Sequence, residues 1–199
     1  MHRLIRLNHA GQGCWPVLAL FIVLLTSCSH RPSITTGDPD FIQFIVQNYH
    51  REKYRSFEHY LKIHKVHGVV PTSELFQQGT DWRRNGLPRY AFPPRQSWKH
   101  IIATLKVLQN LIIPGIGPVE VVSGFRTEAY NLSAGGAPKS QHLHFSAIDV
   151  VPRSNINQST LNRQLNSLWQ QHGRQFKLGL GLYPGKRYFH IDTGGFRRW

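Results

Sequence analysis

The chain has 199 residues, with 24 Lys+Arg against 10 Asp+Glu and a formal charge of +14. Apolar residues make up 40% of it, which suits one packed domain of ordinary size and excludes wholesale disorder. Both cysteines, Cys14 and Cys28, lie near the N-terminus, so no disulfide framework holds the main body.

Residues 1–14 carry Arg3 and Arg6 and no acid, and Trp15–Leu25 is uncharged and apolar. That run is shorter than the ~20 apolar residues a spanning helix needs. A basic start followed by a short apolar run is the secretory pattern. Leu25-Thr26-Ser27-Cys28 then resembles the lipobox of bacterial lipoproteins, in which the cysteine is freed by cleavage and lipidated. The expectation is a signal over residues 1–27 and a lipid on Cys28 that holds the protein to a membrane in the bacterial periplasm. Ser29, where an aspartate would resemble an inner-membrane retention signal, points to the outer membrane. An exported protein rarely meets nucleic acid, so no nucleic-acid partner is expected. The positive field suits the anionic cell wall and lipid head groups, although a solvated basic surface accounts for the charge equally well.

Residues 28–40 are polar, contain Pro32, Gly37 and Pro39, and read as a tether. Apolar positions at three- and four-residue steps predict a helical segment over 41–66. Residues 67–95, rich in Gly and Pro, read as loop with short structure. Ser97 is positioned to cap a helix reaching about Ile112, with Pro114-Gly115 and Gly117-Pro118 as its stops. Val119–Val122 reads as a strand, and Thr160–His172 as a helix capped by Ser159. Leu178–Tyr183 and Tyr188–Asp192 read as two strands joined at Pro184-Gly185. This order predicts an α+β domain over 67–199, with helices packed on a small, mainly antiparallel sheet.

After Glu128 the chain has two acids, Asp149 and Asp192, among nine basic residues. Each acid stands near a histidine: Asp149 follows His142 by seven residues, and Asp192 follows His190 by two. Histidine and carboxylate are ordinary zinc ligands, and a catalytic zinc keeps three protein ligands and one open position. His142, Asp149 and His190 would supply such a set, although spacing alone is weak evidence for it. Ser123-Gly124-Phe125-Arg126, Tyr130-Asn131, Gly135-Gly136-Ala137, Ser140, His142, Ala147 and Asp149 together are stronger. In that order they resemble the M15 family of zinc D-alanyl-D-alanine peptidases. The ending His190-Ile191-Asp192-Thr193-Gly194, with Arg197 or Arg198 and Trp199, is similar to the murein endopeptidase branch of the same group.

The resemblance implies a Hedgehog/DD-peptidase-like fold, zinc held by His142, Asp149 and His190, and Arg126 on a substrate carboxylate or carbonyl. The substrate it implies is the peptidoglycan stem peptide or cross-link. A planar guanidinium fork suits carboxylates, and a structural salt bridge to Glu128 or Glu120 is the plainer role for Arg126. Ser140 would contact substrate or cap a turn. The chain departs from the family at two places. Phe145 stands where the family has glycine, and would narrow the cleft or shift its loop. Arg187 stands where many relatives have an acid three residues before the last zinc histidine, and it cannot accept a proton. Asp192 is the substitute: in a strand it shares a face with His190, as a general base or as a partner that orients a metal-bound histidine. His144 is a further candidate, because it shares a face with His142 if that segment is extended. The alternatives are a non-catalytic peptidoglycan-binding lipoprotein with a degenerate peptidase fold, and a domain with a purely structural zinc.

Overall fold

The computed structural model describes residues 38–47 and 49–199. Cys28 and the expected signal lie outside them. Five strands form one sheet in the order β1-β2-β4-β3-β5: Val119–Ser123 (β1), Ala147–Pro152 (β2), Gly179–Leu182 (β3), Phe189–Asp192 (β4) and Arg197–Arg198 (β5). All neighbours are antiparallel except β3 and β5. The α+β class and the mainly antiparallel sheet are those expected. β2 itself was not expected: Ala-Ile-Asp-Val-Val-Pro has an acid at its centre and a proline at its end, which weakens the strand signal.

Side chains alternate between the two faces of a strand, and here the faces differ in kind. Ile148, Val150, Leu180, Phe189 and Ile191 are buried on one face. Asp149, His190, Asp192, Gly179 and Gly181 occupy the other, because Asp149 pairs with His190, Gly181 with His190, and Gly179 with Asp192. The apolar face is covered by helices. Trp98–Val107 (α3) runs into a π-helical turn at Leu108–Ile112 and ends at Ile116 after one more turn, α4 (Ile113–Ile116). Pro114-Gly115, the first of the two expected stops, does not end this helix. A proline clashes with the carbonyl four residues back and lacks an N–H. The wider turn, with Ile113 N–H donating to Leu108 O, lets the helix pass it. The second expected stop is where the helix ends: Gly117, at φ 88, follows its last residue.

The expected caps also shift. Ser97 Oγ donates backwards to Pro94 O at 2.7 Å and caps no helical N–H. Glu128–Ser133 (α5) is capped by Thr127. Gln158–His172 (α6) is capped by Asn157, whose Oδ1 accepts from Thr160 N and from Ser159 Oγ, both at 2.8 Å. Ser159 therefore supports the cap and does not make it.

The expected helix at 41–66 is two helices, α1 (Pro39–Gln47) and α2 (Arg51–Ile63). Tyr49 sits at φ 53, and His50 N–H donates to Ile45 O at 2.9 Å. This six-to-one bond after a left-handed residue is a helix-ending motif. Both helices pack into the same core as the sheet. Phe41 stacks on Phe76 with centroids 5.8 Å apart, Phe76 on Phe92 at 4.7 Å, and Phe57 lies 5.8 Å from Phe145.

Phe145 has φ 56, a backbone conformation that glycine adopts freely and other residues adopt at a cost. Its ring does not narrow the cleft. It is fully buried between Phe57 and Phe125. The cost of the strained backbone is offset by aromatic burial. Truncating a buried phenylalanine costs about 3–5 kcal/mol, and glycine at this φ recovers about 1–2 kcal/mol. Phe145→Gly is therefore expected to lower the unfolding free energy in a denaturant titration. A variant as stable as the parent would contradict this reading of the position.

Candidate active site

The sheet's polar face and the loop after α5 meet in a cavity of about 990 Å³ whose wall includes Arg126, Ser140, His142, Asp149 and His190. β2 carries Asp149 and β4 carries His190 directly opposite it. A register shift in β1 between Val121 and Ser123 brings Ser123 opposite Asp149, as a bulge does when it re-aims a side chain. His142 comes from the tight turn at 141–145, so His144 shares no strand face with it and is exposed. That turn is pinned from α3. His100 Nδ1 lies 2.9 Å from His144 O, and the buried Thr104 hydroxyl donates to Ser146 O at 2.7 Å.

Three atoms converge. His142 Nε2 is 3.2 Å from Asp149 Oδ1 and 3.1 Å from His190 Nδ1, and the latter two are 2.9 Å apart. All three residues are buried. The outward nitrogens fix the tautomers. His142 Nδ1 is 2.7 Å from Gly124 O, which can only accept, so Nδ1 carries the hydrogen. His190 Nε2 is 3.1 Å from Asp192 Oδ2 and donates to that carboxylate. In their neutral forms both imidazoles therefore turn lone pairs inward, toward each other and toward the Asp149 oxygen.

The electrostatics follow from burial and these neighbours. Burial, with Arg126 nearby, pushes His142 below the usual histidine range against the pull of Asp149. Burial also opposes ionisation of Asp149, but His142 and His190 outweigh it and hold its carboxyl well below the usual carboxylate range. For His190, burial is overcome by Asp149 and Asp192, and the shift is upward. Tyr183, on the cavity wall, is pushed up to about 12 by burial and by Asp149, so its hydroxyl stays a donor.

Asp192 does not reach the cavity. It is 0% exposed, its Oδ1 accepts from Gly194 N–H at 2.7 Å, and its Oδ2 accepts from Arg197 at 2.9 Å as well as from His190. Gly179 lies so close that a Cβ there would collide with the carboxylate. Arg126 bonds Asp149 Oδ2 through Nη2 at 2.6 Å, and Gln78 O and Ser123 Oγ through Nε. Its salt bridge is thus to Asp149 and not to Glu120 or Glu128. Ser140 Oγ accepts from His142 N–H at 3.4 Å and lines the cavity. Arg187 is exposed and donates to Ser154 O, away from the histidines.

Gln78 escaped the sequence reading. It is 1% exposed and every polar group on it is used. Its carbonyl accepts from Ser123 and Arg126, its Oε1 accepts from the N–H and hydroxyl of Thr127, and its Nε2 donates to Pro88 O. A glutamine in a Gly-Pro-rich segment gives no sequence signal for this, because Ser123, Arg126 and Thr127 lie more than forty residues away.

A buried three-acceptor centre on the polar face of an antiparallel sheet, with an arginine bound to its carboxylate, is the kind of site that metallohydrolases use. Residues 70–192 match the peptidase M15 family, and the chain belongs to it. Among curated relatives, the peptidoglycan L,D-endopeptidase MepK of Escherichia coli K12 is 32% identical over 91 residues, covering 41% of this chain and 43% of that protein. The protein of the same name from Shigella flexneri matches equally. The matched segment thus spans less than half the length of these relatives.

Gln78→Ala removes three buried side-chain bonds and leaves their partners unpaired. A cost of about 1–3 kcal/mol is expected, read as a fall of several degrees in Tm. An unchanged Tm would show that Gln78 does not brace this corner.

Proposed function

We propose that this chain is a zinc-dependent peptidase that cleaves peptide bonds in peptidoglycan, as an endopeptidase acting on cross-links. The observation that carries the reading is the inward convergence of His142 Nε2, Asp149 Oδ1 and His190 Nδ1, with both outward imidazole nitrogens tied to acceptors. The donor set fits zinc. Three acceptors at 2.9–3.2 Å with no hydrogen available between the neutral rings repel one another unless a cation joins them. Ligands at about 2.0–2.1 Å on a tetrahedral ion lie at about this spacing. When bound, zinc supplies a Lewis acid beside the substrate carbonyl and lowers the pKa of a bound water.

The chain's own residues do the rest. Asp192 serves as a positioning residue: by accepting the Nε2 proton of His190 it sets the ring's orientation and makes Nδ1 the ligating nitrogen. Its enclosure leaves it no path to a proton in the cavity, which disfavours the general-base role. Arg126 holds Asp149 in place while its Nη1, with no partner among the described residues, is left for a substrate oxygen. Ser140 and Tyr183 offer hydroxyls on the same wall. The endopeptidase assignment draws on the activity named for the relatives and on the likeness of the chain's ending to that branch. The same reading takes in a Hedgehog/DD-peptidase-like fold. It also takes in export, lipidation at Cys28 and anchoring in the bacterial periplasm, at the outer membrane. These follow from the N-terminal pattern together with a substrate that lies outside the cytoplasm.

The full chain, purified in detergent and supplied with zinc, is expected to release new muropeptides from sacculi, and His142→Ala to lose at least a hundredfold of that activity. Zinc at about 100 times its Kd should stabilise the parent by about 2.7 kcal/mol and leave His142→Ala unmoved. Sacculus binding without turnover, unaffected by metal removal, would instead favour the non-catalytic wall-binding alternative.

A further inference from the structure

The cavity wall carries more positive charge than the three-ligand centre employs. Its two acids are committed: Asp149 to Arg126 and the imidazoles, Asp81 to Tyr130 and Arg84. Lys139 and Lys186 line the same cavity, and neither has a carboxylate partner among the described residues. They come from separate parts of the chain, Lys139 from the loop after α5 and Lys186 from the turn between β3 and β4. An exposed lysine alone needs no explanation. Two unneutralised ammonium groups on the wall of a concave site are different, because low-dielectric walls focus their field inward and raise the local concentration of anions. Lysine is also a flexible point charge with three donors. It suits a carboxylate whose position varies, whereas the guanidinium of Arg126 is already held in one orientation by three hydrogen bonds, to Gln78, Ser123 and Asp149.

We propose that Lys139 and Lys186 select peptidoglycan peptides bearing free carboxylates away from the scissile bond, and discriminate against the same peptides when those carboxylates are amidated. The proposal rests on the peptidase reading above and specifies its substrate class. Amidation keeps the shape of the group and removes its charge, so the discrimination is electrostatic and weakens as salt screens the field.

The test uses the full chain in detergent with zinc, and a matched pair of cross-linked muropeptides, one with free and one with amidated side carboxylates. For the parent, kcat/KM is expected to favour the free peptide by about tenfold at low ionic strength, with the difference lying in KM. In Lys139→Gln/Lys186→Gln the ratio is expected to fall to about one or two. Lys99→Gln/Lys106→Gln removes the same charge from exposed positions on α3 and should leave the ratio as in the parent. Equal rates on both peptides by the parent, or a ratio that survives the Lys139/Lys186 change, would overturn the proposal. If the parent turns over neither peptide, the hydrolytic reading fails, and calorimetric titration of the same pair then decides this one. Tighter binding of the free peptide that is lost in the Lys139/Lys186 variant supports it, and equal affinities refute it.

Discussion

Two imidazoles and a carboxylate meet with their lone pairs facing inward because one backbone pairing puts them there. Asp149 stands opposite His190 across β2 and β4, and a slip of one residue would turn one of them into the apolar core. The alternative register is opposed by Ile148 against Ile191 and Val150 against Phe189, all buried on the other face. The hydrophobic core therefore sets the geometry of the polar centre. The third member of the cluster, His142, is brought in by a turn that Thr104 and His100 clamp from the helical layer.

The same economy shows in the shell around the centre. Gly179 makes room for the Asp192 carboxylate, and Gly181 for the Trp199 indole, whose ring centroid is 5.3 Å from that of His190. Asp192 is then surrounded by Arg197, His190 and the Gly194 N–H, which together keep it ionised despite complete burial. A buried carboxylate so placed has one use, to hold the imidazole in front of it. Phe145 extends the coupling to the N-terminal helices: its strained backbone turns the His142 loop while its ring locks that loop against Phe57 of α2.

Much of this was legible in the sequence and some was not, for physical reasons. The two acids beside histidines stood out against a basic background, the motif order pointed to one family, and the order of helices and strands to an α+β fold with a mainly antiparallel sheet. What failed was local. β2 was hidden by Asp149, the acid at its centre. Pro114 suggested a stop, yet a π-helical turn carried the helix past it. Ser159 and Asn157 are both cap formers, and only packing decides between them. Gln78 could not be singled out, since the groups it ties together at the site, Ser123, Arg126 and Thr127, are distant in sequence. The split between α1 and α2 depends on Tyr49 taking a left-handed conformation that its residue type does not advertise.

The central claim is that the fold presets both imidazole tautomers so that His142 Nε2 and His190 Nδ1 face a common cation. Nitrogen-15 NMR of the histidine rings during a zinc titration tests it most directly. The account predicts hydrogens on His142 Nδ1 and His190 Nε2 throughout, with the shifts on zinc addition confined to the other nitrogen of each ring. Hydrogens on the opposite nitrogens, or rings unmoved by stoichiometric zinc, would contradict it.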